Sequence, residues 1–280
     1  MLPATYVFRG VISDIDNRVR CSGAANWSGL AECYGQSYAR VCAGAVPGLT
    51  ESARVRPGLR VLDAGTGTGA VAAAAKSVGA EVTAVDADAS MIAVAARLVP
   101  GVNFRVAALP ALPFDDAQFD AVLANFVINH VGRPLSALAE MRRVTAPGGH
   151  LAITIWPQPP SPGVALLTRA IRDCGGDRRA SKLAPQEEFQ RTEAGLRGLL
   201  QAARLRDASC KSIHWQFEVH QEDWWDVASG VSWMREFTAR HSPQFLVRVR
   251  HRFEQLSREF STPDGNLALP ITALLAVGQA

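Results

Sequence analysis

The chain has 280 residues, 48% of them hydrophobic, so it has the apolar stock for a folded core and is not a disordered polypeptide. Its 29 lysines and arginines against 26 aspartates and glutamates leave a formal charge of +3 with no lysine run, which argues against a nucleic-acid groove or an anionic membrane surface. Five cysteines, Cys21, Cys33, Cys42, Cys174 and Cys210, show neither an even count nor C-x-x-C spacing, so no disulfide framework and no metal site is expected.

The N-terminal stretch lacks the basic start and apolar run of a signal peptide, and no segment offers 18 uncharged apolar residues; a soluble, cytoplasmic protein is expected. Residues 27–55 carry Leu30, Tyr34, Tyr38, Val41 and Ala45 at helical spacing, predicting a helix broken near Pro47 and then a second. From residue 60 the pattern alternates. A strand over "RVLDAG" leads through a glycine loop into an alanine-rich helix, and "EVTAVDAD" at 81–88 is the next strand. A helix from Ser90 to Leu98 stops at "PG", residues 100 and 101, and a strand near "NFRVAAL" follows. After the loop "PALPFDDAQ", a strand over 120–127 precedes a helix that begins at Pro134 and carries Leu135, Leu138 and Met141. "APGG" at 146–149 ends that helix before the strand "HLAITIW". Alternation of this kind predicts an α/β fold with a mostly parallel sheet.

Beyond Trp156 a proline-rich exit leads into helices over 162–206, joined by a polar stretch around 174–186. Residues 212–220 alternate like a strand, 221–260 return to helix, and 266–278 supply a final strand. The expected organisation is 1–56 as N-terminal helices or lid and 57–156 as the cofactor-binding core. A helical substrate or lid region over 157–206 follows, then 207–280 as strands completing the sheet, with a helical insertion at 221–262.

The chemistry gathers in the core. Gly65, Gly67 and Ala70 satisfy the G-x-G-x-x-G/A spacing of dinucleotide-binding folds, which by itself does not choose between NAD and another nucleoside cofactor. Asp63 shifts the balance: a carboxylate at this strand end repels a pyrophosphate but suits the ammonium and sulfonium of S-adenosylmethionine. It also suits hydrogen bonds from the loop's own N–H groups. Asp86, 17 residues after Gly69, stands where a carboxylate accepts the two ribose hydroxyl protons of a nucleoside lying across the sheet edge.

The stretches "VLDAGTGTG", "VTAVDAD", "LPFDDAQFDAVLANFVINHV" and "RRVTAPGGHLAI", in this order, resemble the class I S-adenosylmethionine-dependent methyltransferases, in particular the small-molecule group called methyltransferase type 11. The resemblance covers about residues 58–156; "YGQSYA" and "LALPITALLAVG" are similar to flanks of actinobacterial members. It implies a Rossmann-like, seven-stranded sheet with helices on both faces, an antiparallel last strand and helical lid insertions. By position it implies that Gly65, Thr66, Gly67 and Gly69 contact the methionyl part, that Asp63 organises that end, and that Asp86 and Ala87 lie at the ribose. Met91 is placed against the adenine, although a Met at helical spacing equally fits plain core. Ala108 stands where many relatives have an Asp that accepts from the adenine amino group, leaving Ala108 and Leu109 only backbone groups to read the base.

The resemblance also implies that Asn125 falls at the mouth where the reactive methyl emerges, with Asn129 and His130 following. His130 is the candidate to accept a proton from an acceptor, and equally fits a structural role before a helix. Tyr34 is a candidate to close over the methionine end. Trp156, Trp215, Trp224 and Trp225 suit a flat or greasy acceptor in a substrate pocket, or else the docking of helices.

The expected activity is S-adenosylmethionine-dependent methyl transfer to a small, aromatic or hydrophobic metabolite in bacterial specialised metabolism, with S-adenosylhomocysteine as product. The expected partner is a small-molecule substrate, and the expected assembly a monomer or homodimer. Two alternatives stay open: an NAD-dependent oxidoreductase, and the same fold using its cofactor structurally to cyclise or rearrange a substrate.

Overall fold

The computed structural model describes residues 31–128, 130–177, 183–229 and 233–280. Among the described residues, three short helices, α1 (Ala31–Gln36), α2 (Tyr38–Ala43) and α3 (Val46–Ser52), precede the first strand. The break expected at Pro47 falls earlier, at Gly44–Ala45, and Pro47 lies in the first turn of α3, where its missing N–H has no intrahelical acceptor to lose. Gly44 explains the position. A Cβ there would overlap the indole of Trp215, so the chain bends where only a hydrogen fits.

Seven strands follow: β1 (Arg60–Ala64), β2 (Glu81–Asp86), β3 (Asn103–Val106), β4 (Phe119–Asn125), β5 (Thr145–Ile155), β6 (Arg206–His220) and β7 (Asn266–Gln279). They form one sheet in the order β3-β2-β1-β4-β5-β7-β6. β3, β2, β1, β4 and β5 pair in parallel, and β7 runs antiparallel to β5. Val61, Leu62, Ala121, Val122 and Leu123 are fully buried, the pattern of central parallel strands covered on both faces.

Right after β1, α4 (Ala70–Ser77) packs through Val71, Ala72 and Ala75. α5 (Ala89–Leu98) is capped by Asp88, whose carboxylate accepts from the Ser90 amide at 2.7 Å. Pro134 opens α6 (Pro134–Val144) as the sequence predicts. "APGG" does not lie outside the next strand: β5 starts at Thr145, and residues 146–149 form an irregular excursion within it. Phe119 pairs with Thr145, but Ala121 already pairs with His150.

The remaining elements are α7 (Pro162–Asp173), α8 (Glu193–Ala202), α9 (Gln221–Ser229), α10 (Met234–Ala239) and α11 (Pro243–Ser257), with 3-10 turns at Pro185–Glu187 and Arg258–Phe260. β6 begins six residues before the expected start at 212. Its polar opening, "RDASCK", suits an edge strand in contact with water and hides the alternation.

The described chain divides into two compact units. One holds α1, α7, α9, α10, α11 and the distal parts of β6 and β7; the other holds residues 41–160, 183–215 and 272–280. In the first, Trp224 and Trp225 sit against Phe253 at ring distances of 5.8 and 5.4 Å, and Arg252 pairs with Asp173 at 2.8 Å. In the second, the parallel strands bring Asp63, Asp86 and Asn125 to the carboxyl ends of neighbouring strands. The chain order reverses between β1 and β4, the position at which open α/β sheets bind ligands. Among the described residues, no helix is long and apolar enough to cross a membrane.

Candidate active site

The loop after β1 is fixed by backbone bonds to β2. The amides of Gly65 and Thr66 both donate to the Val85 carbonyl at 2.8 Å, and the Gly67 amide donates to Asp86 Oδ2 at 2.8 Å. Gly65, Gly67 and Gly69 take φ of 76°, 53° and 95°, a left-handed run that other residues resist. At Gly65 the need is also steric, because a Cβ would overlap the Val127 side chain.

Asp63 lies wholly out of solvent. Its Oδ2 accepts from the Thr66 hydroxyl at 2.6 Å and the Ala72 amide at 3.0 Å, while Oδ1 is buried and has no hydrogen-bond partner. Burial pushes its carboxyl up to about 7; the two donors oppose that rise and nearby Asp86 adds to it. Asp86, half-buried, is held between the amides of Gly67 and Asp88 (2.9 Å), and burial raises its pKa as well.

Beside these carboxylates, Met91 is buried in α5 and Ala87 is exposed just after Asp86. Ala108 is exposed and forms an isolated bridge with Ala111, while Leu109 is half-buried against the core. The Ala107 amide donates to the Asp86 carbonyl at 2.9 Å, which brings this segment next to the β2 end.

A second cluster stands at the ends of β4 and β5. The Asn125 amide is occupied: Nδ2 donates to the Cys42 carbonyl at 3.1 Å, and Oδ1 accepts from the Thr154 hydroxyl at 2.5 Å. Its side chain therefore ties β4, β5 and the α2 end together. The next residue, Phe126, holds φ of 58° with its ring stacked on Trp156 at 3.9 Å. Trp156 in turn lies 6.4 Å from Trp215, and the two indoles are each half-buried. His130 is exposed in the turn that follows, its amide bonded to the Val127 carbonyl at 2.8 Å.

α6 lacks a cap from its own Arg133, and Glu187 supplies one from 52 residues beyond Leu135. The buried carboxylate accepts from the Leu135 amide at 3.0 Å and the Ser136 hydroxyl at 3.4 Å. On the same segment, the Arg191 carbonyl accepts from the Gln158 amide at 2.9 Å, two residues after Trp156.

Of the remaining expected site residues, three belong to the other compact unit and one is not described. Tyr34 is half-buried on α1, and Trp224 and Trp225 are buried against Phe253 in the helical unit, where their rings serve helix packing. Asn129 lies outside the described residues. Sequence reasoning missed Phe126, Val127, Thr154 and Glu187; no local pattern marks them, since each gains its role from a partner distant in the chain. Among the described residues, no group of His, Cys, Asp and Glu is placed to hold a metal ion.

A family model described as a methyltransferase domain matches residues 62–153, the stretch that contains Asp63, Asp86 and Asn125. The class I S-adenosylmethionine-dependent resemblance read from the sequence falls on that same stretch. Over 103 residues the chain is 42% identical to a demethylmenaquinone methyltransferase of Renibacterium salmoninarum, covering 37% of this chain and 44% of that protein. Over 139 residues it is 34% identical to a malonyl-[acyl-carrier protein] O-methyltransferase of Enterobacter lignolyticus, covering 50% of this chain and 54% of that protein. The chain thus spans about half the length of these curated relatives. Among solved structures, the YcgJ protein of Bacillus subtilis has a similar fold, with a TM-score of 0.54 at 20% identity over 85% of this chain and 99% of that one.

The cofactor of a class I methyltransferase domain is S-adenosylmethionine, and the residues present fit it. The glycine loop is a cradle that a Cβ at residue 65 would disturb, and Asp63 presents a buried oxygen without a donor, as an approaching cation requires.

Proposed function

We propose that the chain transfers the methyl group of S-adenosylmethionine by direct displacement to a small acceptor with a flat, hydrophobic ring. The observation that carries this reading is the Phe126–Trp156–Trp215 aromatic cluster at the strand ends next to the glycine loop. Bound, the cofactor supplies an electrophilic methyl whose leaving group is a neutral thioether. Gly65, Thr66, Gly67 and Gly69 with Asp63 hold the methionyl end, and Asp86 accepts from the ribose hydroxyls. Ala87, Met91, Ala108 and Leu109 flank the adenine. Asn125, locked by Thr154 and Cys42, keeps the mouth rigid, and the two half-buried indoles orient the acceptor. His130 accepts the acceptor's proton. The relative named for demethylmenaquinone supports a ring-bearing acceptor, and the one named for a malonyl carrier protein makes oxygen a candidate methylated atom.

Calorimetric titration with S-adenosylmethionine, S-adenosylhomocysteine and NAD tests the cofactor. Saturable binding of the two adenosyl compounds is expected, and binding of NAD alone would overturn the reading. A screen of quinols and phenols read by product mass then tests the transfer: a gain of one CH₂ is expected, and a consumed substrate with unchanged mass would point to rearrangement instead.

A further inference from the structure

Asp63 is a buried carboxyl whose neighbours leave its charge unmatched. On β1 its Oδ1 has no partner; from β2 it is faced by another carboxylate, Asp86, and Asp88 stands next to that. From β4 the residue in register is Leu123, and from α4 the contact is the Ala72 amide, a neutral dipole. The charge that acts on Asp63 is therefore of its own sign. Such a site favours the neutral acid until a cation arrives.

We infer that uptake of S-adenosylmethionine is coupled to release of a proton from Asp63, so that the protein reads the cofactor's positive charge through this carboxyl. The inference rests on the cofactor reading above. The carboxylic acid O–H bond breaks, the proton leaves to solvent, and the carboxylate left behind faces the incoming cation. S-adenosylmethionine carries a sulfonium in addition to its ammonium and carboxylate, whereas S-adenosylhomocysteine has lost the sulfonium charge. The substrate form therefore draws the proton out more completely than the product form, and the site relaxes towards the neutral acid after transfer.

The sign follows from the raised pKa of about 7 in the free protein. Below that pH, binding must displace a proton and is weakened; affinity rises as pH climbs towards 7 and then levels. In the ligand-free protein the same shift makes the folded chain hold more protons than the unfolded one between about pH 4 and 7, so this group's contribution to stability falls as pH rises.

Calorimetry of the full chain in phosphate and in imidazole, which both buffer just below neutral pH and differ in ionisation heat, tests this directly. Below about pH 7 the binding heat of S-adenosylmethionine is expected to depend on buffer, reporting up to one proton released. Affinity is expected to rise roughly fifteenfold between about pH 5.5 and 7, with a smaller rise for S-adenosylhomocysteine. This range stays below the titration of the cofactor's own amine, near pH 8. Asp63→Asn, which keeps the shape without the proton, is expected to abolish both dependences. Buffer-independent heat with flat affinity would overturn the proposal while leaving the cofactor reading intact. Proton release that survives Asp63→Asn would also overturn it. Failure of both adenosyl compounds to bind at any pH would overturn the cofactor reading together with this one. If Asp63→Asn fails to fold, the buffer dependence of the unmodified chain still decides.

Discussion

The two halves of the sheet's carboxyl edge are built by different means. The β1–β2 half is made of residues close in sequence: Asp63 to Ala72 supply a carboxylate, three left-handed glycines and a helix start, and the backbone bonds to β2 fasten it. The β4–β5 half is assembled from distant pieces. Asn125 reaches Cys42 and Thr154, Phe126 stacks on Trp156, Trp156 neighbours Trp215, and Glu187 caps the helix that follows. A site fixed by backbone geometry suits a cofactor whose shape does not vary, whereas one lined by side chains from scattered segments is free to change with the acceptor.

The comparison breaks most sharply at Gly65. Gly65→Ala places a side chain at a φ of 76° and against Val127. The left-handed strain costs about 1–2 kcal/mol and the overlap about 1–3 kcal/mol more. Binding of S-adenosylmethionine is expected to weaken roughly 30-fold or more, since 1.4 kcal/mol is a factor of ten, with helical content unchanged. Calorimetry with circular dichroism checks this; an affinity within a factor of three would mean that the loop does not close on the cofactor.

The same contrast sets what could be read from the sequence. Glycine spacing, Asp63 and Asp86 are local, so the candidate cofactor half and the strand–helix alternation of the core were legible in the sequence. The alternation of β2, α5 and β3 was likewise local. Trp224 and Trp225 suited a pocket and a helix interface alike, and only Phe253, some 28 residues further on, assigns them to packing. Phe126 reads as an ordinary strand-end aromatic until Trp156 is beside it. Glu187 sits in a polar stretch with nothing to mark it as the cap of a helix whose own N-cap residue is an arginine. In physical terms, short-range backbone demands select particular residue types, and long-range side-chain contacts do not.

Glu187 sharpens the comparison with a smaller effect. Glu187→Ala removes the acceptor for the Leu135 amide and leaves that helix end without a side-chain cap. A loss of about 1–2 kcal/mol in denaturant stability is expected, with partial recovery in Glu187→Gln, which still accepts. Affinity for S-adenosylmethionine is expected to stay within a factor of two, because the cap lies on the acceptor side. If affinity fell in proportion to stability, the two halves would form one cooperative unit rather than two.

Val127 is where the halves touch, because it follows Phe126 on the acceptor side while its side chain covers Gly65 on the cofactor side. Val127→Ala alone removes two half-buried methyl groups, and a weakening of S-adenosylmethionine binding of about 1 kcal/mol, or fivefold, is expected. The double change Gly65→Ala with Val127→Ala separates the two causes of the Gly65 effect. Shortening Val127 relieves the overlap but not the left-handed backbone, so the pair should bind more tightly than the product of the single effects, by a coupling of about 0.5–3 kcal/mol. It should still bind more weakly than Val127→Ala by the backbone strain. Strict additivity would mean that the contact carries no energy between the halves, and that Gly65 is required for its backbone alone.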